Sequence, residues 1–158
     1  MIIIGTGRIG GMLIERAASR NVPVSVVTRE SGWSAIVERT NPIFVTVRTT
    51  DLSTVMARIP VTRIPDVILC QNGMLTPWLH EQNWSQVTRG VLYMAVPKRG
   101  APVQLADPSP FSGPQAKAVV DWFSALDLPV TETTSDRFQQ IEVEKLLWNC
   151  VFGLLCHV

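Results

Sequence analysis

Short apolar runs, rich in β-branched residues, alternate along the chain with segments in which apolar residues recur at helical spacing. Runs of this kind that are bounded by glycine, proline or asparagine are typical of strands buried on both faces. They predict strands at residues 2–4, 24–27, 43–47, 66–70 and 130–132.

The remaining segments carry helical spacing or turn signals. Helices are predicted at residues 8–20, 52–59, 76–82 and 115–126, and a long one from Arg137 with Asp136 as its cap. Residues 91–96 and 103–106 flank a turn and predict a hairpin, and the Pro- and Ser-rich segment 107–114 predicts a loop. Strands alternating with helices predict an α/β fold with a mostly parallel sheet covered on both faces.

Composition narrows the classes of protein. The chain has 158 residues, enough to bury the core of one domain. Lys and Arg total 14 and Asp and Glu 13, so the net charge of +1 argues against a nucleic-acid-binding stripe or a polyanionic tail. Charged residues make up only 17% of the chain, which predicts some apolar surface that meets a partner.

The cysteines and the terminus indicate the compartment. Cys70, Cys150 and Cys156 lie in apolar runs, which predicts buried free thiols rather than disulfides. With two histidines and no Cys-x-x-Cys pair, no metal site is expected. The start of the chain lacks the pattern of a secretion signal, and no apolar run reaches the roughly 20 residues of a membrane span. We therefore expect a soluble, cytoplasmic protein without membrane contact.

A glycine-rich turn lies between the first predicted strand and the first predicted helix. The pattern Gly-x-Gly-x-x-Gly is informative in this context, because the glycines allow a tight turn, close approach of backbone N–H groups to a pyrophosphate, and packing of helix on strand. The helix N-terminus adds its positive dipole end. This predicts a Rossmann-like, doubly wound sheet with a dinucleotide bound by Gly5, Thr6, Gly7, Arg8, Ile9 and Gly10.

The residue after the second predicted strand indicates which dinucleotide. Enzymes that bind NAD carry Asp or Glu about 20 residues beyond the glycines, where it holds the ribose 2′-hydroxyl. Here Arg29 stands at that place. An arginine can pair with a 2′-phosphate, which favours NADP(H). Two alternatives remain open: Arg29 pairs with Glu30 at the strand end, or Glu30 itself accepts a hydrogen bond from the ribose.

Two further polar groups are candidates for the reactive end of the cofactor. Asn72 follows the fourth predicted strand, at the edge where open α/β sheets bind ligands. Lys145 and Asn149 are four residues apart and therefore share one face of the last helix, among apolar neighbours. A lysine in that setting is a candidate general acid, although most lysines on helices are surface residues.

Together these motifs resemble the ketopantoate reductase (2-dehydropantoate 2-reductase) family. That family carries the glycine-rich turn, an arginine closing the second strand, a strand ending Val-Thr-x-Lys, an Asn-Gly-Met/Leu turn and a Lys-x-x-x-Asn helix. Their counterparts here are residues 5–10, Arg29, residues 45–48, residues 72–74, and Lys145 with Asn149.

The resemblance implies NADPH-dependent reduction of a 2-keto acid to a 2-hydroxy acid. It implies that the glycine-rich turn binds the pyrophosphate and Arg29 the 2′-phosphate. Arg48 would stand in place of the family's lysine near the cofactor, and Asn72 would contact the nicotinamide ribose. Lys145 would protonate the forming alkoxide, and Asn149 would orient the substrate.

The chain also departs from the family pattern. Gly153 stands where the family often has a second asparagine, and residue 158 is reached where the family continues into a helical domain. We therefore expect an NADP-binding domain at residues 1–134, and at 135–158 the first helix of an otherwise absent helical domain. The alternative function is a non-catalytic NADP(H)-binding module or sensor. Because residues 146–155 are apolar nearly all round a helix, we also expect a homodimer built on it.

Overall fold

The apolar runs form strands in the computed structural model, which describes residues 1–38 and 40–155. The strands are β1 (Ile2–Ile4), β2 (Ser25–Val27), β3 (Ile43–Val45), β4 (Val67–Leu69), β5 (Thr88–Gly90), β6 (Met94–Ala95), β7 (Gln104–Leu105), β8 (Ser109–Ser112) and β9 (Val130–Glu132). The helices are α1 (Arg8–Ser19), α2 (Ser34–Glu38), α3 (Thr49–Met56), α4 (Thr76–Glu81), α5 (Ala116–Ala125) and α6 (Ser135–Leu155), with a 3₁₀ helix at Val61–Asp66.

A mostly parallel sheet confirms the predicted α/β, Rossmann-like class. Its seven strands lie in the order β2-β1-β3-β4-β5-β8-β9, and only the β5–β8 pair is antiparallel. The predicted hairpin is also present, as the short antiparallel pair of β6 and β7 beside the sheet. Because β1 pairs with both β2 and β3, the strand order reverses there, and open α/β sheets bind ligands at such a reversal.

Alternate side chains of the strands bury two separate apolar clusters, one on each face of the sheet. On β1, Ile2 and Ile4 belong to the cluster that includes α3, whereas Ile3 belongs to the cluster that includes α1 and α5. In the second cluster the rings of Phe44, Phe111 and Phe123 lie 5.6–6.3 Å apart between centroids. This contact joins β3, β8 and α5, so both faces are covered as a parallel sheet requires.

The structure corrects the expected loop at residues 107–114, which contains the buried strand β8. The sequence pattern also missed β5, whose buried residues include the polar Thr88 and Arg89. Tertiary contacts explain both. The Thr88 hydroxyl accepts a hydrogen bond from the Gln115 backbone N–H at 2.7 Å, and a Cβ on Gly90 would lie 2.2 Å from the Phe111 ring. Both contacts join residues that are distant in the sequence, so no apolar run marks β5 or β8 as a buried strand.

The last helix begins earlier than expected, and Asp136 is not its cap. α6 starts at Ser135, and the Thr134 hydroxyl accepts a hydrogen bond from the Arg137 backbone N–H at 3.4 Å. Asp136 lies in the first turn, where its negative charge interacts favourably with the positive end of the helix dipole and stabilises the helix.

A buried ion pair attaches α6 to the sheet. Arg89 of β5 and Glu142 of α6 are 7% and 5% exposed, and an Arg89 Nη2 donates to Glu142 Oε1. Burial raises the pKa of Glu142 and lowers the pKa of Arg89, while the charge of each partner opposes the shift of the other. Phe138 and Ile141 add apolar contact with Val91 after β5. The first half of α6 is thus held by both charge and packing.

Removing one member of this pair should destabilise the fold strongly. Arg89→Met leaves a buried carboxylate without its partner, which typically costs about 3–5 kcal/mol of the free energy of unfolding. The double variant Arg89→Met/Glu142→Leu should recover most of that loss. Urea unfolding followed by tryptophan fluorescence measures both.

The loss in Arg89→Met should also depend on pH. Since burial raises the pKa of Glu142 in the folded protein, its neutral form predominates at low pH and needs no cation. The variant should therefore lose stability as pH rises through that raised pKa. If Arg89→Met were as stable as the wild type at neutral pH, the Arg89–Glu142 pair would not stabilise the fold in this way.

Candidate functional site

The glycine-rich turn lies at the carboxyl edge of the sheet, between β1 and α1. A Cβ on Gly10 would lie 2.2 Å from the Gly5 carbonyl oxygen and 2.4 Å from the Thr46 hydroxyl oxygen, so only glycine fits there. The Thr46 hydroxyl in turn lies 3.0 Å from the carbonyl oxygens of both Ile4 and Gly5, and donates to them. Gly7 caps α1 without a side-chain hydrogen bond. The first N–H groups of α1 are therefore available to a ligand.

A cavity of about 520 Å³ opens in front of this turn. We call it the phosphate cavity. Its wall includes the predicted Gly5, Thr6, Gly7, Arg8, Arg29 and Arg48, together with Glu30, Trp33, Asp51 and Arg99. Arginine side chains thus enter it from α1, from the ends of β2 and β3, and from the β6–β7 hairpin. Such a wall suits a ligand with several phosphate groups.

Arg29 pairs with Asp51, a residue that is distant from it in the sequence. Its Nη2 lies 4.0 Å from Asp51 Oδ1 in α3, and Arg48 Nε lies 3.4 Å from the other oxygen of the same carboxylate. Both guanidinium groups are more than four-fifths exposed. Glu30 instead accepts a hydrogen bond from the Thr28 hydroxyl at 2.9 Å, and that bond is the main reason why the pKa of Glu30 is lowered.

A second cavity, of about 380 Å³, continues along the sheet edge towards Asn72. The side chain of Gln71 stabilises this part of the edge, since its Nε2 donates to the backbone oxygens of Val45 and Val47 at 2.9 and 3.1 Å. The turn after β4 is thereby fixed to the end of β3, and Asn72 is exposed at the cavity wall. This role of Gln71 could not be predicted from its sequence neighbours, because its acceptors lie at the end of another strand.

A third cavity, of about 330 Å³, lies between the hairpin and α6, and we call it the α6 cavity. It brings together the predicted Ile9, Asn72, Lys145 and Asn149, with Arg8 also in its wall. The candidate residues thus form two groups along one edge, and Arg8 belongs to both. Gly10 lines neither cavity and acts through its close contact with Thr46.

Two aromatic rings surround the Lys145 ammonium group. Its Nζ lies 5.3 Å from the centroid of the Tyr93 ring and 5.5 Å from that of Trp148. Contacts of this kind contribute about 0.5–1 kcal/mol each at exposed sites. Burial raises the pKa of Tyr93, and the negative charges of Glu144 and Asp107 add to that effect. Neither contact was predicted: Tyr93 comes from a distant segment next to the hairpin, whereas Trp148 lies three residues after Lys145, within reach of helical spacing.

The cysteines have different environments. Burial raises the pKa of the Cys70 thiol, which makes it a poor nucleophile at neutral pH. Cys150 is a free thiol but is exposed, so the expectation of burial was wrong for it. It lies in the half of α6 that the described chain leaves uncovered. Cys156 is outside the described residues.

Two other features of the described chain bear on the site. Residues 1–38 and 40–155 contain no group of three or more His, Cys, Asp or Glu side chains arranged to hold a metal ion. Over the same ranges, every helix is too short or too polar to cross a bilayer.

Comparison with known proteins identifies the fold. No protein-family profile matches the chain, and no curated protein sequence matches it significantly. Among solved structures, the 2-dehydropantoate 2-reductase of Methylococcus capsulatus matches 98% of this chain and 62% of its own, with 17% identity and a TM-score of 0.68. The ketopantoate reductase of Staphylococcus aureus, described as dimeric, matches 94% of this chain and 64% of its own, with 20% identity and a TM-score of 0.62.

A reductive aminase of Aspergillus terreus, in complex with NADPH4, cyclohexanone and allyl amine, shares the fold as well. It matches 99% of this chain and 62% of its own, with 14% identity and a TM-score of 0.69. The chain therefore spans about three-fifths of the length of these solved proteins. The chain therefore shares its fold with the matched part of these ketopantoate reductase and reductive aminase structures.

Proposed function

We propose that this chain carries the cofactor-binding part of an NADPH-dependent reductase of the ketopantoate reductase family, which reduces a 2-keto acid to a 2-hydroxy acid. One observation carries the proposal: Lys145 and Asn149 line the same cavity as Ile9 and Asn72, next to the phosphate cavity. A dinucleotide needs an anion-binding site at one end and a reactive site at the other. The sheet edge offers both, with Arg8 between them.

The residues of the phosphate cavity fit NADP(H). Gly10 allows α1 to pack closely on the turn, and this packing together with the uncapped start of α1 suits the pyrophosphate. Arg29 and Arg48 can exchange their contact with Asp51 for a 2′-phosphate, which offers more acceptor oxygens. The Aspergillus terreus aminase has also been solved with NADPH, and an imine reductase of Myxococcus stipitatus with NAD⁺, which supports a nicotinamide cofactor here.

The α6 cavity fits the reduction of a carbonyl group. A bound nicotinamide dinucleotide would supply the hydride that such a reduction needs. Lys145 donates a proton to the carbonyl oxygen as negative charge develops there. Asn149, one helical turn further on, donates a hydrogen bond that orients the substrate, and Asn72 binds the nicotinamide ribose. The rings of Tyr93 and Trp148 keep the ammonium group of Lys145 in place.

We assign residues 1–134 to the cofactor domain and 135–158, of which 135–155 lie within the described residues, to the start of a helical domain. The support is that α6 begins at Ser135, directly after β9, and that only its first half is packed on the sheet. A non-catalytic NADP(H)-binding module is the second candidate. Gly153 favours this second candidate, because glycine has no side chain to hydrogen-bond a substrate at the position where the family often has an asparagine.

The reductase proposal predicts turnover that depends on Lys145. NADPH oxidation should be observed with at least one member of a panel of 2-keto acids. Lys145→Ala should lower kcat by roughly 100-fold or more, because general acid catalysis typically contributes that much. The dissociation constant for NADPH, measured by nicotinamide fluorescence, should change little.

Lys117→Ala is the matched control, because Lys117 is an exposed lysine that pairs with Asp121 on α5. Tight NADPH binding without turnover on the whole panel would favour the non-catalytic module. Absence of NADPH binding would overturn both candidates.

The assignment of Arg29 predicts the preference between cofactors. Arg29→Ala should raise the dissociation constant for NADPH by roughly tenfold to a hundredfold, the usual effect of losing charge-assisted hydrogen bonds to a phosphate. The dissociation constant for NADH should be nearly unchanged, and Arg137→Ala on α6 serves as the control. If both cofactors weaken equally, or neither weakens, Arg29 does not bind the 2′-phosphate.

We also propose a homodimer through α6. Large apolar side chains of its second half are exposed, among them Leu147, Trp148, Val151, Phe152, Leu154 and Leu155. Light scattering at micromolar concentration should give the mass of a dimer, and Leu147→Glu should convert it to a monomer. Val61→Glu, at an exposed apolar residue far along the chain from α6, should leave the mass unchanged. A monomeric wild type would refute the proposal.

A further inference from the structure

The β6–β7 hairpin contacts the glycine-rich turn through two crossed hydrogen bonds. Arg8 Nη1 of α1 donates to the Pro97 backbone oxygen in the hairpin turn at 3.2 Å. In the opposite direction, Arg99 Nη2 donates to the Thr6 backbone oxygen at 2.9 Å. Gly100, with φ +74°, allows the chain to reverse directly after Arg99. The hairpin turn is thus held against the segment that surrounds the phosphate cavity.

Arg99 has the capacity to bind an anion in that cavity. Its side chain is exposed, and it lines the phosphate cavity with Gly5 and Gly7. A guanidinium group carries five N–H donors, and the bond to Thr6 uses one of them. Thr6 lies between the first two glycines, so Arg99 stands over the part of the turn whose backbone suits a diphosphate.

The charges around the cavity distinguish Arg99 from Arg29 and Arg48. Those two arginines approach the carboxylate of Asp51, which offsets part of their charge. For Arg99, no carboxylate lies within 4.0 Å among the side chains of residues 1–37 and 40–155. The positive charge of Arg99 is therefore less compensated by carboxylates than the charges of Arg29 and Arg48. Arg99 also lies on the side of the cavity next to the glycines.

We propose that Arg99 binds the diphosphate of the dinucleotide and that the β6–β7 hairpin acts as a strap over the glycine-rich turn. This inference rests on the proposed function, since it assigns a further residue to the same cofactor site. The strap also reaches the reactive end, because Met94, Ala95, Val96 and Pro97 line the α6 cavity. Diphosphate binding at Arg99 therefore fixes one wall of the cavity that contains Lys145.

Titration with NADPH, followed by nicotinamide fluorescence, tests the contact. Arg99→Ala should raise the dissociation constant roughly tenfold, the effect expected for one charge-assisted contact with a phosphate. Lys98→Ala is the matched control, because Lys98 is the neighbouring exposed cation in the same turn but is not in the wall of the cavity. Arg99→Lys should give an intermediate value, since it keeps the charge but loses the planar pair of donors.

Competition by fragments of the cofactor tests which phosphate Arg99 binds. ADP-ribose contains the diphosphate without a 2′-phosphate, and adenosine 2′-monophosphate contains only the latter. Arg99→Ala should raise the inhibition constant of ADP-ribose by about the same factor as the dissociation constant of NADPH. The inhibition constant of adenosine 2′-monophosphate should stay within roughly twofold of its wild-type value. Arg29→Ala should give the reverse pattern.

The outcomes separate this inference from the proposed function. If the wild type binds NADPH but Arg99→Ala and Lys98→Ala have equal affinities, the role of Arg99 is overturned and the proposed function stands. If Arg99→Ala weakens adenosine 2′-monophosphate as much as ADP-ribose, the assignment to the diphosphate is overturned. If the wild type does not bind NADPH, both fail together.

Discussion

The close approach of α1 to the end of β3 is the constraint on which the candidate site depends. Gly10 faces the Gly5 carbonyl oxygen and the Thr46 hydroxyl. A Cβ on Gly10 would lie only 2.2 Å from the first and 2.4 Å from the second, so no side chain fits. A larger residue would move α1 away from the sheet and withdraw its first N–H groups from the edge. Because Arg8 and Ile9 begin this helix, the same contact positions Arg8, which lines both the phosphate cavity and the α6 cavity, and Ile9, which lines the α6 cavity.

Local charge at this edge differs greatly from the charge of the whole chain. The net charge is +1, yet Arg8, Arg29, Arg48 and Arg99 converge on one cavity whose acidic residues are Glu30 and Asp51. Folding alone brings these arginines together, since they come from four separate parts of the sequence. A near-neutral composition therefore excludes an extended basic surface, but it does not exclude a strong local site for anions.

Features set by neighbouring residues could be predicted from the sequence, and features set by distant contacts could not. The turn after β1, the parallel strands and the shared face of Lys145 and Asn149 follow from local spacing. Asp51 beside Arg29, Tyr93 beside Lys145 and the hairpin beside Thr6 depend on how the sheet brings separate segments together. The polar strand β5 was missed for the same reason, since its burial depends on Glu142 of α6.

That ion pair also determines how α6 presents its residues. Burying Arg89 and Glu142 costs desolvation free energy, which is offset only where the two charges are in contact. In any other register of α6, a buried charge would have no partner. A shift by one residue would rotate the helix by about 100°. Lys145, less than one turn after Glu142, would then turn away from the cavity it shares with Asn72. The register of α6 that pairs the two buried charges is therefore also the register that directs Lys145 to the sheet edge.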